Sequence, residues 1–230
     1  MTHGNWPGLT GNQLKILAMI AMTCDHVGLQ LLPQYPILRL IGRLALPIYG
    51  YMVAEGCRHT RDRKNYLLRM AAMALLCQVV YFFAMGSLYQ CILVTFSLSI
   101  CLIYLIQWLK ARGSWGGKET ALLLGAVVAV YLLCEVLPGY LPGTDFYIDY
   151  GISGVLLPVF ISMGRPIPGL LAGLVLLGLQ HGGLQWWALA AVPLLLCYNG
   201  RRGKANLGKL FYWYYPLHLV AIYGISLILS

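Results

Sequence analysis

The sequence predicts an all-α integral membrane protein, a polytopic bundle of about nine transmembrane helices that forms a single domain over residues 1–230. Two observations lead to this fold class. Of the 230 residues, 60% are hydrophobic and 10% are charged, whereas a typical soluble domain carries about 25% charged residues. The hydrophobic residues also collect into segments, and about 20 apolar residues in a helix span a bilayer. These features exclude a soluble globular domain and a disordered chain.

Glycine and proline clusters divide the chain into nine apolar segments, because both residue types interrupt helices. Several segments are shorter than a full membrane span, so one of them can be re-entrant. The predicted segments are 14–32, 37–56, 66–86, 91–109, 120–138, 148–163, 167–181, 184–198 and 210–229.

The distribution of lysine and arginine predicts the orientation. The chain has a formal net charge of +9, and its basic residues collect in the loops that follow the second, fourth, sixth and eighth segments. Cytoplasmic loops carry such an excess of Lys and Arg, so the N-terminus is expected in the cytoplasm and the C-terminus outside. The positive charge then requires no nucleic-acid partner. None of the seven cysteines forms a CxxC pair, and no metal site is expected.

Ionisable residues lie inside the first two segments, where charge is costly and often functional. Asp25 and His26 are near the outer end of the first segment, and Arg43 is near the outer end of the second. Because a short turn joins the two predicted helices, Arg43 is expected to pair with Asp25 and to neutralise two buried charges. This ion pair either belongs to a functional site or only locks the two helices together.

His26 has a functional and a structural interpretation. A neutral imidazole can accept a proton near working pH, as acyl transfer requires, but a lone histidine in a helix is often structural. Two acids are further candidates for contact with a substrate, Asp149 and Glu55. Asp149 could instead cap the sixth helix, and Glu55 could instead pair with Arg58 or His59.

A basic run follows the second segment and contains Arg58, Arg61, Arg63 and Lys64. Such a run serves as a topology signal or a contact for lipid phosphates. Arginine and lysine also suit the phosphates of a nucleotide cofactor, so a cytoplasmic cofactor site is the alternative.

Four stretches resemble the TraX family, which is named for the F-pilin acetylase, and the likeness runs almost end to end. One contains the Asp25-His26 pair and another contains Tyr-Pro-Leu-His with His218. The matching stretches are residues 14–28, 39–66, 149–155, and 198–203 followed by 211–219. One departure is Cys91, where an asparagine is expected.

The resemblance implies an integral-membrane acetyltransferase of the bacterial cytoplasmic membrane. Acetyl-CoA would be the co-substrate, as in related membrane acyltransferases, and membrane lipids would surround the protein. The acceptor is unknown, either a peptide amine such as a pilin N-terminus or a hydroxyl of a glycan or lipid. In those relatives a histidine on an early span is the usual catalytic candidate, and His26 is its counterpart here.

These arguments predict a role for each candidate. His26 is the general base, Asp25 orients its imidazole or pairs with Arg43, and Arg43 can stabilise an oxyanion. His218 lines the path of the cofactor. The phosphates of CoA are held by basic residues from two loops, Arg58, Arg61, Arg63, Lys64, Arg201, Arg202 and Lys204.

Two other classes of protein remain open. One is a small transporter or ion channel in which Asp25, His26 and Arg43 form a proton relay. The two halves of the chain do not resemble each other, which argues against inverted repeats. The other class is a membrane scaffold, which would not need His26.

Overall fold

A computed structural model describes residues 8–113, 115–204 and 207–229. The described part is helical and contains ten α-helices, interrupted by short turns. They are α1 (Gly11–Gln30), α2 (Pro36–Gly42), α3 (Ala45–His59), α4 (Arg63–Met85), α5 (Ile92–Ala111), α6 (Gly117–Tyr131), α7 (Gly151–Met163), α8 (Pro166–His181), α9 (Ala191–Leu196) and α10 (Gly208–Leu229). A π-helical turn (Leu132–Val136) and a 3-10 turn (Leu137–Tyr140) extend α6, and a 3-10 helix (Gly183–Ala190) precedes α9.

Four helical stretches in the described part are long and apolar enough to cross a membrane. They are Pro36–His59, Arg63–Met85, Ile92–Ala111 and Gly117–Tyr140. In the last of these, only 11% of the most apolar window is buried within the protein. A helix that is apolar on every face and exposed in this way suits a hydrocarbon environment. Shorter apolar helices accompany the four, and together they support a membrane protein.

Each predicted apolar segment corresponds to helical structure, but two segments are irregular. The second breaks between α2 and α3, at Arg43 and Leu44. Pro47 explains the break, because a proline within a continuous helix would lack an N–H and clash with the carbonyl four residues earlier, that of Arg43. The eighth segment is a 3-10 helix followed by the six-residue α9, so the prediction of one regular span over 184–198 is wrong.

The described residues group into two compact units. One unit comprises the residues up to Met52 and those from Gly178 onward, and the other comprises Val53–Leu177. In the first unit, α1 and α2 approach each other closely at two glycines. A Cβ on Gly28 would lie 2.7 Å from the Cβ of Leu38, and a Cβ on Gly42 would collide with Asp25. Small residues permit such close contact between helices.

The second unit is built around α5, which packs against α4 and α7. The buried hydroxyl of Ser99 on α5 donates to the carbonyl of Val155 on α7 at 2.8 Å. Thr95, one turn earlier, donates to the carbonyl of Asp149 at 2.6 Å. These hydrogen bonds fix α7 against α5 and position the loop that precedes α7.

Candidate functional site

The carboxylate of Asp25 is held by two arginines. Arg39 Nη1 lies 2.7 Å from Oδ2, and Arg43 Nη2 lies 2.8 Å from Oδ1. The predicted pairing of Arg43 with Asp25 is therefore confirmed. Arg39 was not predicted as a partner, although its position four residues before Arg43 places both on one face of a helical turn. With two arginines and one aspartate, the cluster carries an excess positive charge.

Arg43 connects this cluster to the 3-10 helix before α9. Its Nη1 donates to Oε1 of Gln185 at 3.0 Å, and its Nε donates to the carbonyl of Arg39 at 3.3 Å. Gln185 is buried, with 4% of its surface exposed. Its Nε2 has no hydrogen-bond partner among the described residues. A buried amide donor without an acceptor is costly, so this N–H marks a place where a ligand oxygen would be favourable.

His26 makes its hydrogen bond to a second histidine. His26 Nδ1 lies 2.9 Å from His218 Nε2, and His218 Nδ1 lies 3.0 Å from the carbonyl oxygen of Tyr214. The expectation that Asp25 orients the imidazole is not met, because both carboxylate oxygens of Asp25 bind arginine. His218 contacts the candidate base, and its predicted place along a cofactor path stays a prediction.

Tyr214 holds the ring of His218 in place. The two rings stack with centroids 5.2 Å apart and planes 7° from parallel. The hydroxyl of Tyr214 lies 2.5 Å from Oγ1 of Thr23. Because the Thr23 hydroxyl donates to the carbonyl of Met19, the hydrogen between Thr23 and Tyr214 comes from the tyrosine. The sequence did not indicate this role for Tyr214 or Thr23.

The basic run of the second unit is partly engaged by other groups. Arg58 Nη1 lies 3.0 Å from Oε1 of Glu55, and His59 Nε2 lies 3.3 Å from Oε2. The alternative interpretation of Glu55, an ion pair with Arg58 or His59, is thus confirmed. The guanidinium of Arg63 lies over the ring of Tyr104, 5.7 Å from its centroid.

Arg61 and Lys64 expose their side chains beside a helix cap. Asp62 accepts a hydrogen bond from the backbone N–H of Asn65 at 3.0 Å and thereby caps α4. Its hydrogen bonds with Asn65 lower the pKa of Asp62, so the carboxylate stays charged. The basic run therefore includes one acid, Asp62, whose carboxylate caps α4.

The other predicted basic residues lie in the first unit. The carbonyls of Arg201 and Arg202 accept hydrogen bonds from Gly11 and Asn12, the first N–H groups of α1, at 2.8 and 3.0 Å. The side chains of Arg201, Arg202 and Lys204 are exposed. A phosphate here would be bound by side chains, since the loop itself occupies the end of α1.

Asp149 precedes α7 but is not the residue that caps it. Tyr150 occupies the N-terminal position with φ of +59°, a left-handed conformation that is uncommon for residues other than glycine. The N–H of Ile152 donates to Oε1 of Glu135 at 2.8 Å. Glu135 therefore takes over the capping role considered for Asp149. Any contact of Asp149 with a substrate stays a prediction.

Comparisons with known proteins identify the family of this chain. The family model described as TraX protein matches residues 10–226. The probable fimbrial assembly protein FimC, serogroup H1, of Dichelobacter nodosus is 24% identical over an alignment of 251 residues, gaps included. The alignment covers 95% of this chain and 96% of that protein. An uncharacterised protein of Rickettsia prowazekii (strain Madrid E) is 55% identical over 38 residues, 16% of this chain and 15% of that protein. No solved structure matches. Since the family model spans nearly the whole sequence, including Asp25, His26 and His218, the chain belongs to the TraX family.

Proposed function

We propose that this protein is an integral-membrane acetyltransferase that moves an acetyl group from acetyl-CoA to an amine or hydroxyl acceptor. The observation that carries the proposal is the hydrogen-bonded pair of His26 and His218, in the same unit as the arginine cluster on Asp25. A partly buried, oriented imidazole supplies a base. Membership of the TraX family and the similarity to a probable fimbrial assembly protein favour a peptide amine, such as a pilin N-terminus, as acceptor.

In the proposed reaction His26 takes a proton from the attacking atom of the acceptor. That atom forms a bond to the acetyl carbonyl carbon, and the bond between this carbon and the sulfur of CoA breaks. The proton then passes from His26 to the leaving thiolate, which balances protons and charge for a hydroxyl or a neutral amine. A protonated amine first releases one further proton to solvent. A nitrogen or oxygen nucleophile needs such a base, because an amine is mostly protonated at neutral pH and a hydroxyl is weakly nucleophilic.

The acetyl oxygen gains negative charge during this step. Arg43 gives its Nη1 hydrogen bond to Gln185, and the unpartnered Nε2 of Gln185 offers an amide donor. A donor that is already polarised by a neighbouring arginine suits a developing oxyanion. We assign this stabilisation to the two residues together rather than to Arg43 alone.

The phosphates of CoA are negatively charged, and the exposed basic side chains fit them. Arg61 and Lys64 suit this role best in the second unit, because Arg58 already pairs with Glu55. Arg201, Arg202 and Lys204 offer a similar surface in the first unit. When bound, acetyl-CoA supplies the activated thioester.

The proposal includes about nine spans in the bacterial cytoplasmic membrane, with the N-terminus in the cytoplasm. Two cysteine substitutions test the orientation in a variant that lacks the seven native cysteines. In intact cells, Tyr140→Cys should react with an impermeant thiol reagent, and Arg61→Cys should react only after lysis. The opposite pattern would invert the orientation and put the basic run on the wrong side for cytoplasmic CoA.

The activity is tested with purified protein in lipid nanodiscs and isotope-labelled acetyl-CoA. An envelope fraction from cells that lack the protein supplies the acceptor, and a synthetic peptide with a free N-terminus is a second probe. We expect labelled acetyl on an amine or hydroxyl and release of CoA, both read by mass spectrometry. His26→Ala should lower the rate about 10²–10⁴-fold, whereas the matched variant His181→Ala at the end of α8 should not. Folded His26→Ala protein with the wild-type rate would refute the role of His26.

A proton pathway is the second candidate function, since two histidines in hydrogen-bond contact can pass a proton. The predicted Asp25–His26–Arg43 relay is not what forms, because Asp25 binds arginine and His26 binds His218. Proton flux in liposomes that contain a pH-sensitive dye would distinguish this function from acetyl transfer.

A further inference from the structure

We infer that His218 is a positioning residue whose hydrogen bonds make Nε2 of His26 the basic nitrogen of the site. The inference deepens the proposed function and rests on it for the catalytic consequence. Its structural content is separate, because it specifies which ring nitrogen carries a hydrogen on each of two histidines. The observations are the two hydrogen bonds that link His26, His218 and the carbonyl of Tyr214.

The carbonyl of Tyr214 determines the donor and the acceptor in both hydrogen bonds. A carbonyl oxygen can only accept, so Nδ1 of His218, 3.0 Å away, carries the hydrogen. In neutral His218 the other nitrogen, Nε2, then has a lone pair and must be the acceptor from His26. The hydrogen between the two rings therefore sits on Nδ1 of His26, and Nε2 of His26 keeps its lone pair.

The opposite direction would require a positively charged His218. That ring is 7% exposed and lies between the aromatic rings of Tyr214 and Tyr215. No carboxylate within the described residues pairs with it, and the nearby Asp25 already serves two arginines. Burial of an uncompensated cation is costly, so the neutral form and the direction given above are favoured.

The surroundings of His218 keep its Nε2 aimed at His26. Tyr214 stacks on the ring, and the hydroxyl of Tyr214 is itself tied to Thr23 on α1. Tyr215 meets the ring edge-on, with centroids 5.4 Å apart. A ring confined in this way cannot rotate to exchange its two nitrogens without breaking both of its hydrogen bonds.

Nε2 of His26 has a free lone pair that can accept a proton. His26 is only partly buried, and its Nε2 has no hydrogen-bond partner among the described residues. When Nε2 takes the proton of the acceptor, the ring becomes a cation and its Nδ1–H bond to His218 becomes charge-assisted and stronger. Return of that proton to the thiolate restores the starting state. His218 thus does for His26 what a carboxylate does in a serine hydrolase triad.

The test is nitrogen NMR on protein labelled with ¹⁵N-histidine in nanodiscs. Protonated and unprotonated ring nitrogens have separate chemical shifts, and His26→Gln identifies the signals of His26. We expect Nδ1 of His26 to be protonated and Nε2 to be unprotonated in the wild type. Protonated Nε2 on neutral His26 would overturn the inference without any appeal to activity.

Two substitutions at His218 separate positioning from packing. His218→Gln keeps an acceptor in reach of His26 through its amide oxygen, and His218→Leu fills similar space without one. We expect Gln to retain the tautomer of His26 and most of the transfer rate. Leu should let Nε2 become protonated and should lower the rate about 10²-fold or more, as a wrong histidine tautomer does in hydrolases. His181→Leu is the matched control.

The outcomes distinguish the two proposals. An unchanged tautomer and an unchanged rate in folded His218→Leu would remove the positioning role. The expected tautomer in a wild-type protein that transfers no acetyl group would leave the positioning intact and overturn the acetyltransferase. If His218→Leu does not fold, the wild type and His218→Gln still decide the tautomer.

Discussion

The carboxylate of Asp25 lies against the backbone of Gly42, so closely that a Cβ at position 42 would fall 2.2 Å from Oδ1. Gly42 is thus the residue that admits the side chain of Asp25 between α1 and α2. The ion pairs of Asp25 with Arg39 and Arg43 depend on this approach.

Gly42→Ala should separate the helices or expel the carboxylate. Overpacking of this kind costs about 1–3 kcal/mol, and loss of an ion pair would add to it. Thermal unfolding in detergent measures the effect. Gly125→Ala on α6 is the matched control, because the added Cβ meets no described atom within 4 Å beyond its own stretch of helix backbone. Equal melting temperatures for the two variants would contradict the steric argument.

The two arginines on Asp25 should differ in their contributions. The side chain of Arg43 is 11% exposed and that of Arg39 is 27% exposed, and Arg43 also binds the buried Gln185. Breaking a buried pair costs about 3–5 kcal/mol, and exposure reduces this. We expect Arg43→Gln to lower the unfolding free energy more than Arg39→Gln in denaturant titrations. The reverse order would mean that the contact with Gln185 stabilises little.

Reversal of charge at Arg61 and Lys64 should weaken binding of acetyl-CoA. Each exposed ion pair contributes about 1 kcal/mol or less, so we expect a loss of about tenfold for the double variant in isothermal titration. Lys118→Glu, at the start of α6, changes an exposed base elsewhere and is the control. Equal affinities for the two variants would leave the basic run as a topology signal.

We expect the contact of Asp145 with Ser87 and Leu88, which joins two loops, to be sensitive to acid. Its carboxylate accepts from the hydroxyl of Ser87 at 2.5 Å and from the N–H of Leu88 at 2.8 Å. These hydrogen bonds lower the pKa of Asp145. Because the folded-state pKa lies below the unfolded one, the stabilisation is complete above the unfolded value and is lost as the pH falls through the folded value.

Hydrogen exchange of the loop 86–91 at several pH values measures this contact. Intrinsic exchange rates at each pH serve as the reference. We expect protection of the Leu88 amide to fall on acidification in the wild type and to be low at every pH in Asp145→Asn. Constant protection in the wild type down to strongly acidic pH would contradict the role of Asp145.

Local patterns predicted the helices, but not where they bend. The nine apolar segments all correspond to helical structure because hydropathy reports directly on burial in lipid or protein. The break at Arg43 was missed. Pro47 could have indicated it, because a proline clashes with the carbonyl four residues earlier in a continuous helix. The irregular 183–190 stretch has a composition that does not distinguish a 3-10 helix from an α-helix.

The candidate site was predictable only where its residues are near in the chain. Asp25 and Arg43 sit on consecutive helices, so their pairing followed from a short turn. His26 and His218 belong to the first and last helices, and no spacing relates them. Glu135 and Ile152 meet across a loop that contains the left-handed Tyr150, and sequence patterns did not reveal this contact.

The ion cluster on α1 and α2 also bears on how the chain enters a bilayer during synthesis. An arginine at the centre of a span costs about 2.5–3.5 kcal/mol on the scale that describes insertion by the translocon. Asp25, Arg39 and Arg43 lie within one helical hairpin, joined by the turn around Tyr35. Asp25 can therefore offset one of the two arginine charges before later helices are made. This lowers the cost of inserting the hairpin, which then serves as the template onto which α10 brings His218.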